Sequence, residues 1–212
     1  MAIEDRIKNI KAKISAISSK AELIAVSKQR SGVEIVDAIK AGQRIFGENR
    51  VQEAKSKWPE IKKEYPSIEL HLIGHLQTNK VREALDIFDV IEILDSKKLA
   101  DCFLKEMQKI KKNPAFYIQV NIGKESQKSG ILPEETDEFI NYCKTIGLNI
   151  IGLMCIPPAD DEPSIYFKNL AIIAKRNGLK NLSMGMSADF EEAIKCGSTH
   201  VRIGTAIFGD RE

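Results

Sequence analysis

Lys28 is the residue whose position in this sequence most suggests chemistry. It follows Leu23-Ile24-Ala25-Val26-Ser27, so its amine stands where an apolar run ends. A free lysine titrates near pH 10.4, which leaves fewer than about one amine in a thousand unprotonated at neutral pH, and partial burial lowers that value by disfavouring the charge. An unprotonated lysine forms Schiff bases with carbonyl groups. The alternative is a solvated loop lysine, one of 32 basic residues. Two glycine-bearing segments stand out further along, Ser183-Met184-Gly185-Met186-Ser187 and Arg202-Ile203-Gly204-Thr205-Ala206-Ile207-Phe208-Gly209. Both can offer unhindered backbone N–H groups, and Ser187 and Thr205 add hydroxyl donors, a set suited to an anion. Against this, Ser187 is well placed to cap the helix containing Asp189 and Phe190, and the glycines fit tight turns. Arg202 is a permanent cation, suited either to a ligand ring or to an ion pair with a neighbouring carboxylate.

These groups meet only if the elements that carry them bring them together. Ile3, Ile7, Ile10, Ile14 and Ile17 recur at spacings of four and three, which predicts an N-terminal helix with one apolar face. The run from Leu23 to Val26 then reads as a strand buried on both faces. Seven similar runs follow: 44–46, 70–73, 90–94, 116–122, 150–155, 181–184 and 200–203. Helical stripes lie between them, among them Val51, Ala54, Trp58 and Ile61, and Leu99, Phe103, Met107 and Ile110. Pro59 is expected to break or kink its helix.

Strands alternating with helices predict parallel crossover connections, and a closed α/β (β/α)8 barrel of the TIM type fits best. After the last strand too little chain remains for a full outer helix, so the N-terminal helix is expected to fill the ring. A doubly wound open sheet is the other possibility. It would be favoured by a G-x-G-x-x-G turn after the first strand, which Ser27-Lys28-Gln29-Arg30-Ser31-Gly32 lacks. With no internal repeat or linker, residues 1–212 are expected to form a single domain.

Composition narrows the function. A formal net charge of +2 gives no field to track a phosphate backbone, which argues against nucleic acid as partner. No stretch approaches the roughly 20 apolar residues of a membrane span, and Met1 to Ile17 matches no targeting peptide. Cys102, Cys143, Cys155 and Cys196 lie far apart, which suggests reduced thiols in a cytoplasmic protein and neither a zinc site nor a redox motif.

In a barrel, ligands bind at the C-terminal ends of the strands, and the loops after strands seven and eight form a recurrent phosphate site. An amine at one strand end facing such a cup at another is the arrangement that pyridoxal 5′-phosphate (PLP) requires. Arg202 beside the pyridine nitrogen would keep that nitrogen unprotonated and weaken the ring as an electron sink.

Several longer blocks carry a resemblance. Ala25-Val26-Ser27-Lys28, 46–53 (FGENRVQE), 71–80 (HLIGHLQTNK), 182–190 (LSMGMSADF) and 201–209 (VRIGTAIFG) resemble the YggS/PROSC family of pyridoxal phosphate homeostasis proteins, in the family's order from Leu23 to Arg211. The resemblance implies one fold type III PLP-binding barrel, like the N-terminal domain of alanine racemase. It implies that Lys28 carries the cofactor, that Asn49 and Arg202 lie near the ring, and that Ser187, Gly204 and Thr205 form the phosphate cup. Leu70 stands where the family often has Trp. A block from Asn121 to Gly130, with Glu125 and Lys128, also resembles the family; Lys128 could be a second amine or a solvated loop lysine.

The expected function is reversible PLP binding through a Lys28 Schiff base, in intracellular PLP homeostasis, with no catalytic residue and no metal. Racemisation on this barrel needs a second base, which in alanine racemases is a tyrosine from a C-terminal domain that this sequence, ending at Glu212, is expected to lack. The alternative is a small PLP-dependent racemase or lyase with a base from Tyr117, His75 or a second subunit. A cofactor-free barrel acting on a phosphorylated metabolite, or an interaction module resting on Lys97, Lys98, Lys105, Lys109, Lys111 and Lys112, are further readings. His71 and His75 read as polar residues near a strand end. PLP-requiring apoenzymes are the expected partners, and a monomer or weak homodimer the expected state.

Overall fold

The structure, a computed structural model, describes residues 2–210; Met1, Arg211 and Glu212, at the edges of the expected domain and of the resembling blocks, lie outside the described residues. A first helix, α1 (Ile3–Ile17), precedes β1 (Glu22–Val26), α2 (Gly32–Lys40), β2 (Ile45–Glu48), α3 (Val51–Glu64), β3 (Glu69–Leu72), α4 (Val81–Ile87) and β4 (Val90–Leu94). The second half continues with α5 (Lys97–Ile110), β5 (Ala115–Val120), α6 (Thr136–Thr145), β6 (Asn149–Cys155), α7 (Pro163–Arg176), β7 (Asn181–Ser183), α8 (Phe190–Lys195), β8 (His200–Ile203) and α9 (Thr205–Phe208). The eight strands are parallel and close in sequence order into a barrel. Closure pairs β8 with β1, with Ile24 opposite Arg202. The open-sheet alternative is thereby excluded.

Alternation along each strand sorts side chains between two interiors. The outward set joins the helices in an apolar shell, where Phe46 meets Trp58 with ring centroids 5.1 Å apart and Phe103 meets Phe116 at 5.0 Å. The inward set includes Ile24 and also His71, Glu92, Ser183 and Arg202, all buried. The ring of helices has the gap expected after β8, because α9 is four residues long. The first helix fills it. It buries Ile7, Ile10 and Ile14, packs against α2, α8 and α9, and its Arg6 donates to the Ile207 carbonyl at 3.1 Å.

Two prolines sit within or at the start of helices. The third helix runs on through Pro59 instead of breaking there. Its buried face, Val51, Ala54, Trp58 and Ile61, holds it to the barrel, while Pro59 lies on the exposed side, where water can take up the carbonyl that proline leaves without a donor. Pro163 opens α7 at its first turn, where its missing N–H costs nothing.

Candidate functional site

The first strand ends at Val26, and a capping box at Ser31 starts α2 almost at once: Ser31 Oγ accepts from the Glu34 amide at 3.3 Å and Glu34 Oε2 accepts from the Ser31 amide at 2.8 Å. The short segment between them carries Lys28. It is fastened from below by α3. The Lys57 ammonium, 13% exposed, donates to the Ser27 carbonyl at 3.0 Å, the Arg30 carbonyl at 3.4 Å and Glu53 Oε1 at 2.8 Å. It also pairs at 2.8 Å with the buried Glu48, whose Oε1 accepts from Ser27 Oγ at 2.7 Å and Trp58 Nε1 at 3.0 Å. Lys28 itself is half-buried, and among the described residues its amine has no hydrogen bond or ion pair.

That amine opens onto a cavity of about 200 Å³ at the C-terminal mouth of the barrel. All six residues expected at a site line it: Lys28, Asn49, Ser187, Arg202, Gly204 and Thr205. Arg30, Val26, Ile73, Ile156 and Met186 complete the wall. None of these five was singled out from the sequence. Arg30 lay in full view beside Lys28, yet nothing local fixes its direction; the tertiary structure turns it over the Phe208 ring, 5.7 Å from the centroid, and ties it to the Gly209 and Asp210 carbonyls.

The two glycine-bearing loops divide the work differently from what their sequences suggest. Ser187 does not cap α8; Asp189 occupies that position, and its Oδ1 accepts from the Met186 amide at 2.6 Å. The Ser187 hydroxyl and the Ser187 and Ala188 amides therefore donate to no protein acceptor among the described residues. Gly185 is buried and does not line the cavity. Its φ is +93°, and a Cβ there would lie 2.5 Å from that of Ala193, so it serves the turn and the approach of α8. In the last loop, Gly204 precedes α9, whose first amides lack intrahelical acceptors as all helix starts do. Free amides, two hydroxyls and a guanidinium are the donor set of an anion site.

Arg202 forms the floor of the cavity. It lines the cavity while 5% exposed, donates from Nη1 to Ser183 Oγ at 2.7 Å and from Nη2 to the Cys155 carbonyl at 2.9 Å, and stands 4.0 Å from Glu92. Glu92 is fully buried, and through it the charges continue down the barrel. Its Oε1 accepts from His71 Nδ1 at 2.6 Å, and His71 Nε2 donates to Glu69 at 2.7 Å. Burial would push the His71 imidazolium down, but the hydrogen bonds and charges of Glu69 and Glu92 outweigh it and raise the group to about 9. Burial likewise opposes the Glu92 carboxylate, and His71, Arg202 and Ser183 outweigh it and hold it below the usual range. The period-two placing of Glu69 and His71 was the available sequence signal for inward-facing polar side chains.

The remaining candidates are elsewhere. Tyr117 is buried beneath the site with its hydroxyl 3.2 Å from His200 Nδ1, and burial, with the charges of Glu92, Glu69 and Glu22, raises its phenol. His75 is exposed, and neither residue lines the cavity. Lys128 pairs with Glu125 at 2.5 Å and donates to the Pro157 carbonyl at 3.2 Å, joining two loops outside the cavity. Of the lysines along α5, Lys97 and Lys109 pair with Glu138 and Glu106 on a solvated face. All four cysteines are free thiols, with burial pushing Cys143 and Cys155 up to about 12. Among the described residues no group of His, Cys, Asp and Glu could hold a metal ion, and no helix is long and apolar enough to cross a membrane.

A closed parallel barrel of eight strands, with an unpaired amine and a set of free donors on one mouth, is the architecture to be compared with known proteins. The chain belongs to the family whose model is described as "Alanine racemase, N-terminal domain", which matches residues 1–212, and pyridoxal phosphate homeostasis proteins are among its curated relatives. The one from Haemophilus influenzae is 41% identical over 202 residues, covering 90% of this chain and 85% of its own. The one from Mus musculus is 37% identical over 212 residues, covering 90% and 77%. Among solved structures, PipY of Synechococcus elongatus with PLP bound is 33% identical, superposes with a TM-score of 0.87 and covers 98% of this chain and all of its own.

Proposed function

We propose that the cavity binds pyridoxal 5′-phosphate and that the chain serves in intracellular PLP homeostasis without turning over a substrate of its own. The observation that carries this is the shared cavity: the unpaired Lys28 amine lines the same wall set as the Ser187, Gly204 and Thr205 donors, with Arg202 beneath. A relative of similar length, 33% identical, has been solved with PLP bound, which supports the reading. PLP supplies an aldehyde on an electron-poor pyridine ring. Lys28 would hold the cofactor by its amine, the group suited to capturing an aldehyde as a Schiff base with loss of water. Ser187, Thr205 and the backbone around Gly204 would hold the phosphate, and Arg202 and Asn49 would serve the ring.

Arg202 favours holding over turnover. A fixed cation at the ring nitrogen keeps it unprotonated, so the ring takes up carbanion charge poorly. The two side chains that could have offered a second base, Tyr117 and His75, lie outside the cavity wall. Residues 1–212 then act as one PLP-binding domain, and PLP-requiring apoenzymes are the partners that such a role implies.

A visible absorption spectrum of the purified protein with added PLP, followed by borohydride reduction and peptide mass mapping, tests the binding. The label is expected on Lys28, with Lys28→Ala abolishing both band and label. A label elsewhere that survives Lys28→Ala overturns the assignment. Absence of α-proton exchange with amino acids separates carrier from racemase or lyase.

A further inference from the structure

Arg202 projects into the cavity, but no carboxylate touches it at hydrogen-bond distance. Its Nη1 donates to Ser183 Oγ at 2.7 Å, that hydroxyl donates in turn to Glu92 Oε2 at 2.6 Å, and the direct separation of Nη1 and Oε2 is 4.0 Å. A serine hydroxyl has one proton, and here it is committed to Glu92, so the oxygen is left as an acceptor aimed at the guanidinium. Glu92 is fully buried, where a carboxylate survives only if its oxygens are satisfied and its charge is met. Both oxygens are taken, one by Ser183 and the other by His71 Nδ1. Beyond His71 stands Glu69, half-exposed at the opposite end of the barrel. Charges of alternating sign thus run from the cavity floor to the far mouth through side chains of β8, β7, β4 and β3. Neighbouring groups complete the surroundings of Glu92: Tyr117 from β5, and His200 of β8, whose ring lies 6.1 Å from that of His71.

We propose that Glu92 is a positioning residue of the cavity, acting through Ser183 to fix the Arg202 guanidinium and to offset the positive field that it casts on a bound heterocycle. The proposal rests on the reading of the cavity as a PLP site for its effect on the ligand, but its effect on Arg202 holds for the protein alone. A guanidinium held only by the Cys155 carbonyl would swing, and one without Glu92 beneath it would act on the cavity as a fuller positive charge. Glu92 never touches the ligand; it governs the group that does.

The test uses Glu92→Gln, which keeps the shape and removes the charge, beside Ser183→Ala, which cuts the link and leaves both charges. In the ligand-free protein, ¹⁵N NMR is expected to show the Arg202 guanidinium signal, slowly exchanging in the parent protein, broadened or lost in both variants. With PLP added, Glu92→Gln is expected to bind within about threefold of the parent, while the pH midpoint of its visible band moves down by about one pH unit, as added positive field predicts. Glu92→Asp is expected to restore the midpoint in part. Unchanged guanidinium exchange in both variants overturns the proposal, as does an unchanged midpoint in Glu92→Gln that still binds PLP. If the parent protein forms no adduct on Lys28, the PLP reading fails instead, and the ligand-free NMR comparison decides the role of Glu92. Should Glu92→Gln fail to fold, Ser183→Ala decides it by the same exchange measurement.

Discussion

At the residue scale, the donors proposed to hold the phosphate are distinguished by what they do not do for the fold. Ser187 is exposed, caps no helix and has no protein partner among the described residues, and Thr205 is exposed at the first turn of α9. Their hydroxyls are therefore available to a phosphate, where a hydrogen bond to a charged group contributes about 1.5–3 kcal/mol. Ser187→Ala and Thr205→Val are each expected to weaken PLP binding about tenfold or more in a fluorescence titration. Thermal stability should stay within about 0.5 kcal/mol of the parent for Ser187→Ala, the range of surface changes that remove no cap. A large loss of stability would instead show that Ser187 supports the turn.

At the element scale, the amine-bearing segment depends on a helix that contributes nothing to the cavity wall. Lys57 of α3 reaches back under β1 and holds the Ser27 and Arg30 carbonyls, with Glu48 and Glu53 as its counter-charges. Lys57→Met leaves Glu48 buried with no cation beside it, and breaking a buried pair from one side costs about 3–5 kcal/mol. Urea denaturation is expected to show a loss of this order, and Lys57→Met with Glu48→Gln should recover a substantial part of it. Simple additivity of the two changes would mean that the pair is not coupled. The first helix acts similarly from outside the ring. Ile14→Ala in its buried stripe is expected to cost about 2–5 kcal/mol by cavity formation, read as a lower denaturation midpoint.

At the scale of the whole molecule, the charged interior ties stability to pH. The His71 imidazolium has an ordinary value of 6.5 and is raised to about 9 in the fold. Its contribution is fully present below pH 6.5 and is lost as pH rises through about 9, on the order of 3 kcal/mol for the whole interval. Glu69 and Glu92 are lowered in the fold, so their contribution is present above their ordinary 4.5 and is lost as pH falls through their folded values. Each limb removes the same ion pairs by neutralising a different member. Denaturation followed from pH 6 to pH 10 should show an alkaline decline that is flattened in His71→Gln. An identical decline in that variant would assign the pH dependence to surface groups.

The sequence by itself determined the alternation of strands and helices, the place of Lys28 at a strand end, and the two glycine-bearing loops, because period-two and helical spacing and local turn chemistry act over a few residues. It also predicted that α1 would fill the ring, where the helix buries Ile7, Ile10 and Ile14. Only the tertiary structure decided which inward side chains meet. Ser183 and Glu92 are 91 positions apart and joined at 2.6 Å, and nothing near either residue announces the other. Closure of β8 on β1, with Arg202 opposite Ile24, completes the ring across which they meet and brings Phe208 and Gly209 within reach of Arg30. Side-chain partners across a barrel follow from strand order and register, and these are fixed by the packing of the whole shell rather than by any segment within it.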